Sequence, residues 1–200
     1  MEIYDYIIVG AGSAGCVLAR SLSENPQNRV LMLEAGPPSD RFWVRTPAGM
    51  AKLFSHNELN WKYFTEPMPE LGGRKMYWPR GKGLGGSSSI NGMIFIRGHR
   101  RDFDNWRDLG NPGWGYDDVL PFFKSIEHNE RGPDEYRGSG GPLHVSDPLV
   151  KVSSSYDFIE SANRFGIPKT DDLNGELHDG VGFIQHTIEV AGASRRTTHF

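Results

Sequence analysis

The chain has 200 residues, of which 37% are hydrophobic, and its 22 basic and 25 acidic residues give a formal net charge of −3. This composition supports a packed core and excludes the charge bias that would indicate a nucleic acid or an anionic membrane as partner. No apolar run approaches the roughly 20 residues that span a bilayer. The only cysteine, Cys16, excludes an internal disulfide, so we expect a cytoplasmic chain, with peripheral membrane association left open.

The start of the chain predicts a strand, a helix and a second strand. The run YDYIIVG (4–10) is apolar and ends in glycine, which is typical of a strand buried on both faces, and RVLMLEAG (29–36) predicts a second such strand. Between them, AGSAGCVLARSLSEN (11–25) predicts a helix. Its apolar stripe consists of Ala14, Val17, Leu18 and Leu22. This order predicts a βαβ unit with a parallel sheet and a right-handed crossover.

Short elements separated by glycine and proline are predicted for the rest of the chain. Four helices are expected, over 47–54, 101–109, 117–126 and 152–165. Gly166 is expected to cap the last of them. Brief strands are expected within WKYFTEP (61–67) and after the turn RGSGGP (137–142).

The run GFIQHTIEV (182–190) alternates in polarity, which predicts an antiparallel strand with an apolar and a polar face. The apolar set consists of Ile184, His186, Ile188 and Val190. We therefore predict an α/β fold, with a Rossmann-like βαβ core and the start of an antiparallel-sheet domain. The boundary is expected near Pro148, between a cofactor-binding domain (1–148) and the beginning of a substrate-binding domain (149–200).

Three glycines between the first strand and the helix form a G-x-G-x-x-G motif: Gly10, Gly12 and Gly15. In this motif the first glycine permits a tight turn, the second lets the backbone approach a pyrophosphate, and the third lets helix and strand pack closely. Glu34 ends the second strand, where a carboxylate can accept hydrogen bonds from ribose hydroxyls and would repel a 2′-phosphate. The motif predicts dinucleotide binding but does not separate FAD from NAD.

A second glycine-rich stretch, GKGLGGSSSINGMIFIRGHRRDFD (81–104), continues into apolar residues, which a flexible linker would not do. Four glycines, at 81, 83, 85 and 86, allow the backbone to lie flat against a planar ligand, because no Cβ intervenes. Ser87, Ser88 and Ser89 offer hydroxyl groups, and Asn91 offers an amide that both donates and accepts.

This stretch resembles the first signature of the glucose–methanol–choline (GMC) oxidoreductases, a family of FAD enzymes. The matching residues are Gly81, Lys82, Leu84, Gly85, Gly86, Ser87, Ser88, Ile90, Asn91, Phe95, Gly98 and Asp104. DYIIVGAGSAG (5–15), LEAG (33–36) and NWKYFTEP (60–67) are also similar to the family. KTDDLNG (169–175) resembles the choline dehydrogenase branch, so the resemblance covers essentially the whole chain.

The resemblance implies that FAD is the cofactor. By that resemblance, residues 10–15 hold the pyrophosphate, Glu34 holds the adenosine ribose, and the loop 83–94 lies along the flavin. The implied cofactor-binding residues are Gly10, Gly12, Ser13, Ala14, Gly15, Glu34, Ala35, Trp61, Gly83, Gly85, Gly86, Ser87, Ser88, Asn91, Gly92, Met93 and Ile94. Some family members attach the flavin to a histidine just before the asparagine; this chain has Ile90 there, so we expect FAD to be non-covalent.

The activity implied by the resemblance is the oxidation of a small alcohol, choline-like or aliphatic, to an aldehyde or a ketone, with hydride transfer to flavin N5. The family's catalytic histidine, its histidine or asparagine partner and a second signature are expected beyond residue 200. We therefore predict no catalytic residue and no metal ligand in this chain, and expect a carboxyl-terminal segment to complete the fold. The sequence does not separate an oxidase from a dehydrogenase.

Two alternatives remain. An NAD-linked dehydrogenase would explain the first glycine motif but not the second. A flavin-binding module without catalysis would explain both motifs, and it is motivated by the absence of the catalytic region from these residues.

Histidines and the arginine-rich end of the second motif are the other candidates. The seven histidines are scattered without metal-ligand spacing, and His186, within the alternating strand, is interpreted as a hydrogen-bonded histidine rather than a substrate contact. The charged residues that follow Ile96 are expected to form a solvated ion-pair cluster, worth little individually. They are Arg97, Arg100, Arg101, Asp102 and Asp104.

Overall fold

A computed structural model describes residues 2–191 and 194–197 of the chain. It divides into two compact units, the first formed by residues 1–93 and 191–200 and the second by residues 94–190. The division into a cofactor domain and a substrate domain at residue 148 stays a prediction. No helix of the described residues is long and apolar enough to cross a membrane.

The first unit begins with the predicted strand, helix and parallel strand. β1 (Tyr6–Val9) is followed by α1 (Ser13–Ser23) and β2 (Val30–Leu33). β1 and β2 pair in parallel, with Tyr6 opposite Val30 and Val9 opposite Leu33. The βαβ order that the sequence predicts is therefore confirmed.

The prediction that β1 is buried on both faces is wrong for the described residues. Ile8 is buried, and its Cγ2 lies close to where a side chain on Gly15 would begin. Ile7 and Val9 are 60% and 84% exposed. Side chains alternate along a strand, so one face of β1 packs against α1 while the other has no covering element among these residues.

The apolar stripe predicted for α1 is also wrong. Val17 and Leu18 are exposed, whereas Gly15 is buried and Ala19 and Leu22 are partly buried. The helix packs through its small residues because Gly15 lets it approach β1 closely. The packing face of α1 is therefore centred on a glycine and not on the largest apolar side chains.

Short elements complete the first unit. They are α2 (Phe42–Arg45), the 3₁₀ turn Pro47–Gly49, α3 (Met50–Leu53), β3 (Tyr63–Phe64), the 3₁₀ turn Pro69–Leu71, β4 (Tyr77–Trp78) and the 3₁₀ turn Gly86–Ser89. β3 and β4 pair antiparallel. A cluster of buried apolar side chains forms the core, namely Val44, Leu53, Leu59 and Ile90. The helix predicted over 47–54 is present as a 3₁₀ turn that continues into α3.

The second unit contains three helices and short paired strands. Its elements are β5 (Ile94–Phe95), α4 (Arg100–Asp108), α5 (Tyr116–Ile126), β6 (Glu127–Asn129), β7 (Leu143–Val145), α6 (Ser153–Arg164) and β8 (Gln185–His186). β9 (Ile188–Ala191) follows, and β10 (Ser194–Thr197) belongs to the first unit. β5 pairs antiparallel with β8, and β6 pairs parallel with β7. The predicted helices are all present within a few residues, and Gly166 follows α6 with a φ of +99°, as a C-terminal cap requires.

Local capping explains where α4 begins. The Nδ1 atom of His99 accepts a hydrogen bond from the N–H of Arg101 (3.0 Å), and Asp102 accepts one from the N–H of His99 (2.9 Å). This reciprocal pair satisfies amide groups that the first turn of a helix leaves without partners. Asp102 therefore caps α4 and does not belong to an ion-pair cluster.

Much of the buried interior of the second unit is polar. The predicted strand over 182–190 is interrupted at Thr187, and the residue it buries is Gln185, whereas Ile184, His186 and Ile188 are only partly buried; the side chain of Val190 lies outside the described residues. Gln185 exchanges hydrogen bonds with the side-chain amide of Asn129 and donates one to Asp147 (2.8 Å). The expected apolar face is wrong for this strand, because a hydrogen-bonded amide network fills the space against it.

Arg97 is the largest departure from the sequence-based expectation. Its side chain is buried and pairs with the carboxylate of Glu127, which is 0% exposed. The expectation that Arg97 belongs to a solvated cluster is wrong. Arg100, by contrast, forms an exposed pair with Asp117.

Candidate cofactor site

Two glycine loops meet at the amino-terminal end of α1. The carbonyl oxygen of Ala11 accepts a hydrogen bond from the N–H of Gly85 (2.7 Å), and Gly12 and Gly85 form an isolated parallel bridge. A Cβ on Gly86 would lie 2.9 Å from the Cα of Gly12, and Gly86 has a φ of +54°. Only glycine allows the two backbones to approach this closely. The two motifs found in the sequence thus form one site.

The end of α1 that faces this junction has no side-chain cap. Gly12 occupies the N-cap position and supplies no side chain to the first-turn N–H groups. These groups carry the positive end of the helix dipole, so the end of the helix favours an anionic ligand. A Cβ built on Gly12 would meet nothing within 4 Å, so there is open space beside the N-cap residue.

Glu34 joins both loops through its carboxylate. Oε2 accepts a hydrogen bond from the N–H of Ala11 (2.8 Å), in the first loop. Oε1 accepts two, from the N–H of Gly36 (2.8 Å) and from the N–H of Gly83 (3.0 Å), in the second loop. Three backbone segments that are distant in sequence therefore converge on one side chain.

These contacts change the acidity of Glu34. Desolvation alone would raise its pKa, but backbone N–H donors, among them those of Ala11, Gly36 and Gly83, outweigh it, so the pKa lies below the ordinary glutamate value. A pKa that is lower in the folded state stabilises the fold above the unfolded pKa. That contribution is lost as the pH falls through the lowered value.

An open cavity of about 620 Å³ lies beside this junction. Seven of the sequence-predicted residues line it: Gly10, Gly12, Glu34, Ala35, Trp61, Gly86 and Ser87. Gly81, one of the glycines predicted to lie against a planar ligand, also lines it, and four further lining residues were not predicted: Val9, Leu33, Tyr63 and Arg80. The cavity thus combines two glycine loops, the carboxyl ends of β1 and β2, and an aromatic wall.

The other residues predicted to bind the cofactor do not line this cavity. Ser13 and Ala14 are exposed in the first turn of α1, and Gly15, Gly83 and Gly85 are buried supports of the two loops. Ser88, Asn91 and Met93 line a separate narrow cleft with Trp43 and Met50, and Gly92 also lies close to Met50. Ile94 belongs to β5 of the second unit, where it pairs with His186.

The aromatic wall was only partly predictable. The rings of Trp61 and Tyr63 stack at 5.8 Å with an interplanar angle of 7°, and the ammonium group of Lys82 lies 4.6 Å from the Trp61 ring centroid. Trp61 was identified through a family resemblance. Tyr63 stacks on Trp61 across Lys62, whose φ of +54° is not that of an extended strand, so the spacing of the two aromatic residues did not predict this contact.

The residues that line the cavity are suited to binding a ligand rather than to transferring a proton. Glu34 is its carboxylate, and the hydrogen bonds described above hold that group ionised. His186 lies in the second unit, and burial lowers its pKa, which favours a neutral imidazole. Within residues 2–191 and 194–197, no cluster of histidine, cysteine, aspartate or glutamate is arranged to hold a metal ion.

A protein-family model and several known proteins match almost the whole chain. The family model described as GMC oxidoreductase matches residues 4–198. The chain belongs to the GMC oxidoreductase family. Among its relatives, the oxygen-dependent choline dehydrogenase of Sinorhizobium fredii is 48% identical over 92% of this chain and 33% of its own length. The mitochondrial choline dehydrogenase of Mus musculus is 43% identical over 92% of this chain and 32% of its own length.

Solved structures of GMC-like proteins have the same fold. Pyridoxine 4-oxidase from Mesorbium loti superposes with a TM-score of 0.89 at 38% identity, over 98% of this chain and 38% of that protein. An FAD-dependent oxidoreductase from Chaetomium thermophilum superposes with a TM-score of 0.86 at 29% identity, over 98% of this chain and 35% of that protein. The chain spans about one third of the length of the curated relatives it matches.

Proposed function

We propose that this chain is the FAD-binding part of a GMC-type dehydrogenase or oxidase that oxidises a small alcohol. The observation that carries the proposal is the junction of the two glycine loops at the uncapped end of α1, beside Glu34. Membership of the GMC family and the names of the relatives, which include choline dehydrogenases, support an alcohol as the substrate class.

The residues present fit a dinucleotide. The first-turn N–H groups of α1 and the open space beside Gly12 suit a pyrophosphate. Glu34 lies where it can also reach a ribose hydroxyl, and Gly86 and Ser87 of the second loop line the cavity beside it. The rings of Trp61 and Tyr63 provide an apolar wall for the same ligand.

Bound FAD would supply, at flavin N5, the acceptor for a hydride that leaves the carbinol carbon of an alcohol, which becomes an aldehyde or a ketone. The residues of this chain bind and orient. They would hold the pyrophosphate at the end of α1 and orient the adenosine ribose beside Glu34. No residue described here is assigned the removal of the hydroxyl proton.

Non-covalent attachment is expected for the cofactor. Ile90, at the position where some family members carry a flavin-linked histidine, is buried in the core with Val44, Leu53 and Leu59, and isoleucine offers no nucleophile. Acid precipitation of the flavin-loaded protein should therefore release all of the flavin into the supernatant. Flavin that remains in the protein pellet would contradict this expectation.

A non-catalytic flavin-binding module is the second candidate. It is favoured by the composition of the cavity, in which the one carboxylate is held by three backbone amides and no histidine is present among the lining residues. Turnover of an alcohol by the chain, measured with a dye as electron acceptor, would exclude it.

The visible absorption spectrum of the purified chain tests the main proposal. After incubation with FAD and removal of the excess, we expect a flavin band that follows the protein on gel filtration. Incubation with NAD, followed by detection of bound nicotinamide, is the control, because the first glycine motif does not separate FAD from NAD. A chain that retains NAD but no flavin would overturn the proposal.

A further inference from the structure

The contacts of Glu34 point to a role other than binding the ribose. A carboxylate has about four lone-pair positions, and here three of them accept backbone N–H groups of the protein itself. The donors belong to the first loop (Ala11), to the end of β2 (Gly36) and to the second loop (Gly83). A residue that served only the ligand would keep its oxygens free for ribose hydroxyls.

The second loop has few other direct ties to the first. Within the first unit, its backbone donates from Gly85 to the carbonyl of Ala11 and from Lys82 to the carbonyl of Leu59 (2.9 Å), its Leu84 carbonyl accepts from the hydroxyl of Ser39, and Gly81 forms a bridge with Asn60. Glu34 adds the bond to Gly83, between Lys82 and Gly85. A Cβ at Gly83 would lie 2.6 Å from the carbonyl oxygen of Pro37, so the loop passes close to the end of β2 at this point.

We propose that Glu34 is a positioning residue that fastens the second glycine loop to the first before any cofactor binds. The two loops then form one preformed cradle. A bound ribose would meet a carboxylate that is already fixed. Pre-organisation of this kind lowers the entropy that a ligand must lose on binding.

Glu34 shares the cavity with Arg80 and Tyr63, and Arg80 is the cationic residue among the lining residues. The guanidinium of Arg80 donates to the carbonyl of Pro79 (2.7 Å) and lies over the ring of Trp78, so these side-chain contacts are with its neighbours in sequence and not with Glu34. The charge of Glu34 is therefore matched by backbone dipoles rather than by a side-chain cation. Charge-assisted hydrogen bonds of this type are about twice as strong as neutral ones.

Glu34→Gln keeps the shape of the side chain but removes its charge and one acceptor oxygen, so it tests whether the hydrogen bonds of Glu34, rather than its size, hold the two loops together. A carboxamide has one acceptor oxygen, and placing it where Gly36 and Gly83 donate turns its NH₂ group toward the N–H of Ala11. Glu34→Ala removes both acceptor oxygens and with them all three hydrogen bonds. Glu66→Gln, at an exposed glutamate of the same unit, is the matched control.

Amide hydrogen exchange by NMR, on the chain without ligand, measures the tie directly. In the unsubstituted chain we expect the amides of Ala11 and Gly83 to be protected, and to shift together as Glu34 is protonated at low pH. Glu34→Gln should accelerate exchange at Ala11 about tenfold, and Glu34→Ala at both residues, as expected for the loss of a charged hydrogen bond. Rapid exchange of both amides in the unsubstituted chain, or no change in the variants, would overturn the proposal.

The consequence for the cofactor rests on the proposed function and is measured separately. Titration with FAD should show about tenfold to a hundredfold weaker binding for Glu34→Gln, and unchanged binding for Glu66→Gln. If no variant and no unsubstituted chain binds FAD, the proposed function fails while the exchange result still decides the role of Glu34. If FAD binding falls without any change in exchange, Glu34 serves the ribose alone and the positioning role is wrong.

Discussion

Replacing Gly15 by alanine is expected to destabilise the first unit by about 2 kcal/mol or more, although alanine is the better helix former. In an exposed helix the exchange would stabilise the fold by about 1 kcal/mol. Here the new Cβ would lie 2.0 Å from the carbonyl oxygen of Gly10 and 3.3 Å from Cγ2 of Ile8. The clash is with backbone that cannot yield, and overpacking of this kind costs about 1–3 kcal/mol or more.

Gly12→Ala is the matched variant for this prediction. Its Cβ meets nothing within 4 Å, and its φ of −77° is one that alanine adopts freely, so the fold should be retained. The methyl group would occupy the open space beside the N-cap of α1, and we expect FAD binding to weaken about tenfold or more. Urea unfolding followed by circular dichroism measures the first effect, and flavin titration measures the second.

The two variants thus separate the structural from the binding glycine of one motif. Loss of stability in Gly12→Ala, or a Gly15→Ala variant as stable as the unsubstituted chain, would contradict this division of roles. Unimpaired flavin binding by Gly12→Ala would contradict the proposal that the pyrophosphate binds at the end of α1.

Patterns within short stretches of the sequence correctly predicted those elements whose formation depends mainly on residues close to one another in the chain. The order of β1, α1 and β2, the helices of the second unit and the cap at Gly166 follow from periodicity and from glycine, both of which act over a few positions. The junction of the two glycine loops was predictable in outline, since both motifs are typical of close approach to a ligand. A family resemblance supplied Trp61, which composition alone would not have singled out.

Long-range packing decided the features that the sequence analysis missed. The packing face of α1 is set by how closely Gly15 approaches β1, which no hydrophobic stripe encodes. The burial of Gln185 depends on Asn129, 56 positions earlier. The three donors on Glu34 come from backbone amides, which every residue has, so the sequence gives no sign of them.

Arg97→Met is expected to have the larger effect on stability, about 3–5 kcal/mol, as is typical when one partner of a buried ion pair is removed. Arg97 donates from Nη2 to the carboxylate of Glu127 and from Nη1 to the carbonyl of Tyr136 (2.6 Å). Without the guanidinium, the buried carboxylate would retain neutral donors, the side-chain amide of Asn129 (2.7 Å) and the N–H of Gly138 (3.1 Å). These donors only partly offset its lost solvation.

The double variant Arg97→Met/Glu127→Met tests whether the cost comes from the unpaired charge. Both charges are then absent, so the double variant should be no less stable than Arg97→Met and far more stable than the sum of two single losses predicts. The Nε atom of Arg97, which is buried without a hydrogen-bond partner among the described residues, reduces what the intact pair contributes. Asp117→Asn, in the exposed pair with Arg100, is the control and should cost less than about 1 kcal/mol. If the losses of stability measured by urea unfolding for Arg97→Met and Glu127→Met add up to the loss measured for the double variant, the two side chains act independently. The ion pair would then not be what organises the interior of the second unit.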